Sequence, residues 1–367
     1  MIGLNNSILI ISPEPWKWQH VSKHHYAITL TQQGYKVYFL NPPKPLDSME
    51  IIETNFKNLY EIETPQVFKG LRFLPKVLRV YLESKWLKKL EEKIGSTFNV
   101  IWLFENSRFY NMQFAKDRLK IYHQVDSSQN FHIKEAASSA DICFYVTDYI
   151  KRDLLPYNKK VFKISHGINF STKEFPLSKE QLERFNKSRI NVAYIGNLDI
   201  IYINEQILHN LVVSYPDITF HFVGSYSENG ALYKLCKEIK NVIWWGRVDS
   251  AVIPSILEKV DVTLLLYRVE EYREQLANSH KILEYLHSGK VTVATFTDEY
   301  KDKRELLEMV DNSNDYIEKF KEVVENLEVY NAKKKQQERI EFAKSHSYDN
   351  QLNKIVSLSN KYTSKGL

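Results

Sequence analysis

The chain has 367 residues and a net charge of +5, and it is 43% hydrophobic and 26% charged. This length favours two domains of about 100–200 residues each. The composition excludes a disordered chain, a collagen-like chain and a small fold stapled by disulfides. Two cysteines far apart in the sequence, Cys143 and Cys236, indicate buried thiols in a reducing compartment rather than a disulfide or a metal site.

The first half of the chain alternates apolar runs with helical or loop segments. A buried strand is predicted at Ser7–Ser12, and a helix follows over Val21–Gln33, where Gly34 ends it. Further strands are predicted at Lys36–Leu40, Val100–Phe104, Leu119–His123, Asp141–Val146 and Lys160–Ser165. Strands that alternate with helices predict a parallel sheet covered on both faces.

The same alternation restarts at Asn191 and continues over five strand-like runs. These runs are NVAYIG, ITFHFVG, NVIWWG, DVTLLLY and KVTVATF. We therefore predict a first domain over 1–169, a polar linker over 170–190, a second domain over 191–345 and a C-terminal helix within 346–367 that returns to the first domain. Two doubly wound domains predict a central cleft between the carboxyl ends of their sheets, which is the default ligand site.

Several motifs of other enzyme classes are absent from the sequence. There is no G-x-G-x-x-G after the first strand, no P-loop, no G-x-S-x-G and no D-x-D. His20 and His24 are four residues apart in or beside a predicted helix, but two histidines without a third ligand do not predict a zinc site. We therefore expect neither a metal ion nor a cofactor.

The most informative stretch is Asp261–Val293, in which a strand, a loop and a helix that starts near His280 follow one another. The free N–H groups at such a helix start favour a phosphate, and Asn278 or Ser279 would cap the helix. The same two residues are equally compatible with a plain helix cap that binds nothing.

Two charged residues on this helix suggest a ligand. Lys281 lies in the first turn, where the helix dipole disfavours a cation, so an anion opposite would explain it. Glu284 lies three residues later on the same face, and a carboxylate there can accept two hydrogen bonds from a ribose diol. The alternative is an ordinary surface pair of opposite charges.

The segment NSHKILEYLHSGKVTV resembles the donor-site segment of GT-B glycosyltransferases, whose pattern is roughly N-x-x-K-x-x-E-Y-x-x-x-G-K-P-V. Further stretches agree in order: ADI at 140–142, SHGIN at 165–169, VAYIGN at 192–197 and NVIWWGR at 241–247. The chain resembles family 4-like enzymes of bacterial envelope polysaccharides, such as teichuronic-acid and xanthan glucuronosyl-type transferases. The resemblance implies an α/β GT-B fold of two Rossmann-like, doubly wound domains that face a central cleft.

The resemblance also implies which residues bind the donor. Glu284 would bind the ribose, and Lys281 would bind the diphosphate together with the amides of Ser279 and His280. The other implied donor-binding residues are Gly196, Asn197, Gly246, Arg247, Tyr267 and Asn278, of which Gly246 and Arg247 would border the nucleobase. Leu276 stands where many family members carry the first Glu of Glu-x7-Glu, and this departure favours an inverting mechanism.

The acceptor side is predicted in the first domain. His123 and Asp126 lie at the carboxyl end of a predicted strand. Asp126 resembles the general base of related enzymes. Asp126 could instead cap the next helix, and His123 is either an alternative base or a structural residue. The aromatic residues of the loop after the first strand either stack on an acceptor sugar or pack the loop itself: Trp16, Trp18 and His20.

The surplus positive charge lies in one segment, residues 67–95, which contains eight Lys/Arg and three Asp/Glu. Apolar residues at helical spacing between these charges predict a basic amphipathic helix. We expect it to bind an anionic membrane surface or the diphosphate of a lipid-linked acceptor, with Arg72, Lys76 and Arg79 among its cations. The alternative is a core-facing helix with a solvated basic face. One short basic segment does not predict nucleic-acid binding.

Taken together, the sequence predicts a hexosyltransferase-type enzyme that uses a nucleotide sugar, UDP-linked, without a metal. The acceptor would be a lipid-linked or growing cell-surface polysaccharide at the inner face of the cell membrane. We expect a cytoplasmic protein, because neither an apolar run of about 18 residues nor a signal-like N-terminus occurs. The alternatives are a nucleotide-sugar epimerase of the same fold and a non-catalytic glycan- or nucleotide-binding protein.

Overall fold

The structure is a computed structural model that describes residues 7–18, 20–127, 131–170, 175–185 and 189–367. Its β-strands are β1 Ser7–Ile11, β2 Lys36–Leu40, β3 Glu50–Glu53, β4 Leu59–Glu63, β5 Val100–Leu103, β6 Leu119–Gln124, β7 Ile142–Tyr145, β8 Val161–Lys163, β9 Asn191–Ile195, β10 Thr219–Val223, β11 Val242–Gly246, β12 Val262–Leu265, β13 Val291–Ala294 and β14 Glu308–Met309.

The α-helices are α1 Ser22–Gln32, α2 Lys76–Ile94, α3 Ile133–Ser139, α4 Asp148–Leu154, α5 Lys179–Glu183, α6 Glu205–Ser214, α7 Ala231–Cys236, α8 Ile253–Lys259, α9 Val269–Tyr272, α10 Lys281–His287, α11 Tyr316–Glu325, α12 Leu327–Tyr330, α13 Lys333–Ser345 and α14 Tyr348–Tyr362. Short 3₁₀ helices occur at Leu71–Phe73, Met112–Ala115, Ser250–Val252, Asp298–Tyr300 and Ser313–Asp315. Within the described residues, none of these helices has the length and apolar character that crossing a bilayer requires.

The chain divides into two compact units. Unit 1 comprises residues 1–167 and 348–367, and unit 2 comprises residues 168–347. Each unit has one sheet with a hydrophobic core on both of its faces, as expected for doubly wound α/β domains. The predicted linker, 170–190, contains the short helix α5, which begins at a capping box of Ser178 and Gln181.

The sheet of unit 1 has the strand order β3-β4-β2-β1-β5-β6-β7-β8 and is parallel except for the β3–β4 pair. Strand β1 is central, and Ile8 pairs with Val37 on one side and Val100 on the other. The sequence analysis missed β3 and β4. The reason lies in β4, where the buried carboxylates of Glu61 and Glu63 both accept hydrogen bonds from Asn41 and interrupt the apolar pattern.

The sheet of unit 2 has the strand order β11-β10-β9-β12-β13-β14 and is parallel throughout. The five predicted runs from residue 191 onward form β9 to β13, and a sixth strand of two residues, β14, was not predicted. Because all the strands run in the same direction, the loops that follow β9 to β12 meet at one edge of the sheet.

The C-terminal helix α14 packs on α1 of unit 1. Tyr348, Leu352 and Ile355 are buried among the core residues on that face of the sheet. The Tyr348 ring lies edge-on to the Tyr26 ring at 5.1 Å, and it covers Gly167, where a Cβ would come within 2.6 Å of it. The last helix therefore completes the core of the unit formed by the start of the chain.

Candidate functional site

Three glycines with positive φ lie at the carboxyl ends of three adjacent strands of unit 2. Gly196 follows β9, Gly224 follows β10, and Gly246 ends β11. Their backbones are hydrogen-bonded across the edge: the Gly196 amide donates to Val223, and the Gly224 amide donates to the Gly246 carbonyl at 3.0 Å. A Cβ on Gly224 would lie 1.8 Å from the Gly196 carbonyl oxygen. Only glycine permits this approach, so the edge presents closely spaced backbone groups.

Lys281 reaches this edge from the start of α10. Its ammonium lies 3.1 Å from the Tyr267 hydroxyl and 3.4 Å from the Tyr194 hydroxyl, and it also lies over both rings. A Cβ on Gly196 would be 2.0 Å from the Lys281 Nζ. In the part of the chain that the structure describes, no carboxylate forms an ion pair with this half-buried cation. The site thus holds a positive charge that only neutral groups contact.

Tyr285 fixes the helix that carries Lys281, and the sequence analysis missed this residue. Its buried hydroxyl accepts a hydrogen bond from the Ile195 amide at 2.9 Å, next to Gly196. Lys281 and Tyr285 are four residues apart, so both side chains project from one face of α10 towards the end of β9. The sequence contained a signal for Tyr285, because this tyrosine directly follows Glu284 in the motif and had no assigned role.

The start of α10 lies close to the predicted one, near His280. His280 occupies its N-cap position and makes no capping hydrogen bond through its side chain. Because His280 already has helical backbone angles, which an N-cap residue normally lacks, the helical backbone extends to the residue that follows Ser279. The helix is only seven residues long, so the positive charge at this edge comes mainly from Lys281 rather than from a helix dipole.

Glu284 lies one turn after Lys281 and is half-buried. Burial raises the pKa of its carboxyl group, and the Lys281 charge partly offsets this effect. Among the described residues, the carboxylate has no hydrogen-bond or ion-pair partner. It therefore retains its full capacity to accept hydrogen bonds from a ligand.

The remaining predicted donor residues differ in their exposure. Tyr267 is buried and contacts Lys281 directly, whereas Asn197 is exposed and its side chain accepts from the Asp199 amide. The others lie on neighbouring loops: Arg247 and His280 are exposed, and Asn278 and Ser279 are half-exposed. The structure thus joins Gly196, Tyr267 and Lys281 by contact and includes Gly246 in the glycine edge, whereas Asn197, Arg247 and His280 are exposed.

In unit 1, the two predicted catalytic residues have opposite surroundings. Asp126 is exposed just after β6. His123 is fully buried among the rings of Trp102, Phe104 and Phe144, and burial lowers its pKa to about 3. Neither of its ring nitrogens has a hydrogen-bond partner among the described residues. This environment favours the structural role of His123 over a role in proton transfer.

A buried lysine near Asp126 was missed by the sequence analysis. Lys23, in the first turn of α1, is 2% exposed and forms an ion pair with Glu14. Burial lowers the pKa of Lys23, and the nearby charges of Glu14, Asp126 and Glu105 oppose this effect. These carboxylates follow β1, β6 and β5, so the topology gathers them at one edge of the sheet. No local pattern in the sequence indicates this cluster.

The aromatic loop after β1 is divided between core and surface. Trp16 is 7% exposed and packs on Phe39, with its amide donating to the Asn41 side chain. Trp18 is 64% exposed, and His20 is half-buried against the Trp16 ring at 4.8 Å. The two alternatives for this loop therefore apply to different residues, since Trp16 packs the loop and Trp18 faces solvent.

Comparison with known proteins finds similar glycosyltransferases. The model of the family described as "Glycosyl transferases group 1" matches residues 189–326. The putative teichuronic acid biosynthesis glycosyltransferase TuaH of Bacillus subtilis (strain 168) is 27% identical over 179 residues, which are 47% of this chain and 43% of that protein. The match therefore spans less than half the length of this relative.

Solved structures match over nearly the whole length of the chain. Sucrose-phosphate synthase from Thermosynechococcus elongatus superposes with a TM-score of 0.71 at 14% identity, over 97% of this chain and 99% of its own. A glycosyltransferase from Rickettsia africae ESF-5 gives 0.71 at 14% identity over 98% of each chain. Anabaena HepE in complex with UDP-glucose gives 0.65 at 14% identity, over 96% of this chain and 99% of its own.

The group 1 match begins just before β9 and contains every residue of the glycine edge and α10. The structural matches extend over nearly the whole chain and show the two-domain α/β fold. The predicted fold class is confirmed by these structural matches, and unit 2 contains the region that is similar to the group 1 glycosyl transferases.

Proposed function

We propose that this protein transfers a sugar from a UDP-linked donor to a glycan acceptor. The observation that carries the proposal is the half-buried Lys281 ammonium, which lies against the Gly196 backbone and, among the described residues, has only tyrosine hydroxyls as hydrogen-bond partners. An anionic diphosphate is the complement of such a cation. The similarity to a structure solved with UDP-glucose supports a uridine nucleotide.

Each part of the site has a role in this reaction. Lys281 neutralises the diphosphate as it leaves, and it acts in a partly dehydrated setting where its charge is more effective than in water. Glu284 accepts hydrogen bonds from the ribose diol. Gly246 and Arg247 border the base. Because Lys281 supplies the charge that a metal supplies in other enzymes, we expect EDTA to leave turnover unchanged.

The donor assignment is tested by thermal shift with UDP, GDP, ADP and CMP. A ligand at one hundred times its Kd stabilises the folded state by about 2.7 kcal/mol, so UDP should give the largest shift. Lys281→Met should abolish this shift. Lys290→Met is the matched control, because Lys290 precedes β13 at the opposite edge of the same sheet. An unchanged UDP shift in Lys281→Met contradicts the proposal.

Glu284→Ala tests the ribose contact separately. The loss of hydrogen bonds to a charged group should weaken UDP binding by about 1.5–3 kcal/mol. Binding of inorganic diphosphate, which has no ribose, should remain as in the wild type. Equal losses for both ligands would show that Glu284 acts on Lys281 rather than on the sugar.

The acceptor hydroxyl needs a base, and we assign this role to Asp126 in an inverting reaction. Asp126 is exposed at the carboxyl end of β6, within electrostatic reach of the buried Lys23. The family position that often carries a glutamate holds Leu276 here, which is 7% exposed. Asp126→Asn should lower turnover by about 10²–10⁴ with UDP affinity intact. A product with the anomeric configuration of the donor would refute inversion.

We further propose that the acceptor is membrane-linked and that unit 1 docks on anionic lipid at the inner face of the membrane. The apolar–basic patch that supports this consists of Phe68, Lys69, Arg72, Phe73, Lys76, Val77, Leu78 and Tyr81, all exposed. Large apolar side chains interleaved with cations are typical of surfaces that lie on a bilayer. The patch occupies only the first half of segment 67–95, because Trp86, Leu87 and Leu90 enter the core.

One predicted lipid-binding cation does not belong to this patch. Arg79 is 8% exposed, its guanidinium stacks on the Tyr110 ring at 4.2 Å, and it donates to the Tyr110 hydroxyl. The charge test therefore uses Lys69→Gln, Arg72→Gln and Lys76→Gln together. Each cation near an anionic surface contributes about 1 kcal/mol to membrane binding. This triple variant should therefore no longer bind phosphatidylglycerol vesicles.

The matched control is Lys333→Gln, Lys334→Gln and Lys335→Gln in α13, which removes the same charge from unit 2. A second variant, Phe73→Ser with Val77→Ser, tests the apolar half of the patch. Co-sedimentation should fall in both patch variants and stay unchanged in the control. Equal binding to neutral and anionic vesicles would contradict the electrostatic contribution.

A further inference from the structure

Unit 1 contains a cavity of about 320 Å³ beside the aromatic loop. It lies between the loop after β1 and the turn that joins β3 to β4, the two strands that the sequence did not predict. Trp16, Trp18 and His20 line it from the loop, and Phe56 lines it from the turn. Its size is at the lower end of the range of about 300–1,000 Å³ for small-molecule sites.

The walls of this cavity combine a fixed and a free aromatic surface. Trp16 is held in place because its ring lies edge-on to Phe56 at 6.0 Å and its amide is bonded to Asn41. The Trp18 indole, by contrast, has no ring or cation partner among the described residues, and it is 64% exposed. An unpartnered indole at the mouth of a cavity offers a flat apolar face, and the C–H face of a pyranose ring fits such a surface.

The charges at the cavity select against anions. Lys17 forms an ion pair with the buried Glu61 at 3.3 Å, so its charge is already compensated. The exposed Glu53 also lines the cavity, and within the described chain it has no ion pair or hydrogen bond. Burial lowers the pKa of His20, which keeps its ring neutral at pH 7. The cavity therefore has one uncompensated negative charge and a carboxylate that can accept hydrogen bonds from hydroxyl groups.

We propose that this cavity binds an uncharged sugar ring of the acceptor glycan, stacked on Trp18 and hydrogen-bonded by Glu53. The inference rests on the proposed glycosyltransferase function, and it adds the class of acceptor sugar. A sugar that carries a carboxylate or a phosphate is excluded, because Glu53 repels it and Lys17 is paired with Glu61. The shape and charge of the cavity thus set the specificity for neutral hexose or N-acetylhexosamine units.

The test is saturation-transfer NMR and calorimetry on the full chain without donor. The probes are the methyl glycosides of glucose, N-acetylglucosamine and glucuronic acid, each titrated in the millimolar range. The two neutral glycosides should bind, and the glucuronide should bind about tenfold more weakly or not at all. Trp18→Ala should weaken the binding of the neutral glycosides by about tenfold, which is the effect of losing one aromatic contact. Trp18→Phe should retain most of the affinity.

Tyr157→Ala is the matched control, because it removes another exposed aromatic side chain, 42% exposed, from the same unit. Glu53→Gln should reduce the discrimination against the glucuronide. The UDP thermal shift is measured in every variant, so a failure on the donor side is recognised separately. The inference is overturned if no neutral glycoside binds, if the glucuronide binds as tightly as glucoside, or if Trp18→Ala binds like the wild type.

Discussion

The contact between Gly196 and Lys281 is the decisive feature at the scale of single residues. The Lys281 side chain occupies the space that any β-carbon at position 196 would need, and Gly196 has a φ of +147°. Gly196→Ala should therefore displace the ammonium from the edge of the sheet and weaken UDP binding by about tenfold or more, although the lysine is still present. Calorimetric titration with UDP measures this loss.

Gly95→Ala is a suitable control for the backbone cost. Gly95 follows α2 with a φ of +71°, and a β-carbon there meets no atom within 4 Å. Both variants carry the strain of positive φ, of order 1 kcal/mol, but only Gly196→Ala moves Lys281. If the two variants bind UDP equally well, the close approach of Lys281 to Gly196 has no functional consequence.

At the scale of an element, helix α2 has two different parts. Its first turns present the second half of the apolar–basic patch to solvent, and its later turns bury Trp86, Leu87 and Leu90 in the core. Glu83 lies between them and is 1% exposed, and burial raises its pKa to about 8 although the Arg79 charge acts in the opposite sense. The helix therefore carries a carboxyl group that is protonated in the folded protein at neutral pH.

This carboxyl group makes stability depend on pH. Below its unfolded-state pKa of about 4.5, both states hold the proton and the folded state pays no penalty. As pH rises towards 8, the unfolded state ionises first, and stability is lost. Glu83→Gln should match the wild type at pH 4 and exceed it at pH 8 by on the order of 1–3 kcal/mol in urea unfolding.

The control for this comparison is Glu92→Gln on the same helix. Glu92 is an exposed partner of Lys88 at 3.7 Å, so its removal should change stability little at either pH. A Glu83→Gln variant that follows the wild-type pH profile would show that Glu83 is ionised in the folded state. Stability would then depend on other groups over this range.

At the scale of the whole molecule, the two units differ in whether they are formed from one continuous segment of the chain. Unit 2 is continuous, whereas unit 1 needs residues 348–367 from the other end of the chain. Tyr348 is the link, because it packs on Tyr26 and His25 and covers Gly167. Tyr348→Ala should cost about 3–5 kcal/mol of unit 1 stability, the cost of removing a large buried side chain.

Hydrogen exchange followed by mass spectrometry locates this loss. Faster exchange is expected in α1, β1 and α14, with the strands of unit 2 and the UDP shift unaffected. Tyr362→Ala is the control on the same helix, since Tyr362 is 38% exposed and its removal leaves the core intact. Uniform acceleration across both units would show that the units unfold as one.

The positions of most strands and the spacing of Lys281 and Glu284 were determined by the sequence itself. Buried parallel strands are continuous apolar runs, so β1, β2 and β5 to β13 are visible as local patterns. The spacing of Lys281 and Glu284 puts both on one helix face whatever the rest of the chain does. Where polar residues enter a strand, as Glu61 and Glu63 enter β4, the local signal fails, because the Asn41 side chain that satisfies them is distant in sequence.

Only the tertiary structure decided which residues meet. The approach of Lys281 to Gly196, the cluster around Lys23, the burial of Arg79 and the cavity beside Trp18 all join segments that are separate in the sequence. Hydrophobic periodicity is a local property and reports one element at a time. Contacts between elements depend on strand order and register, which the chain fixes only when the whole sheet has formed.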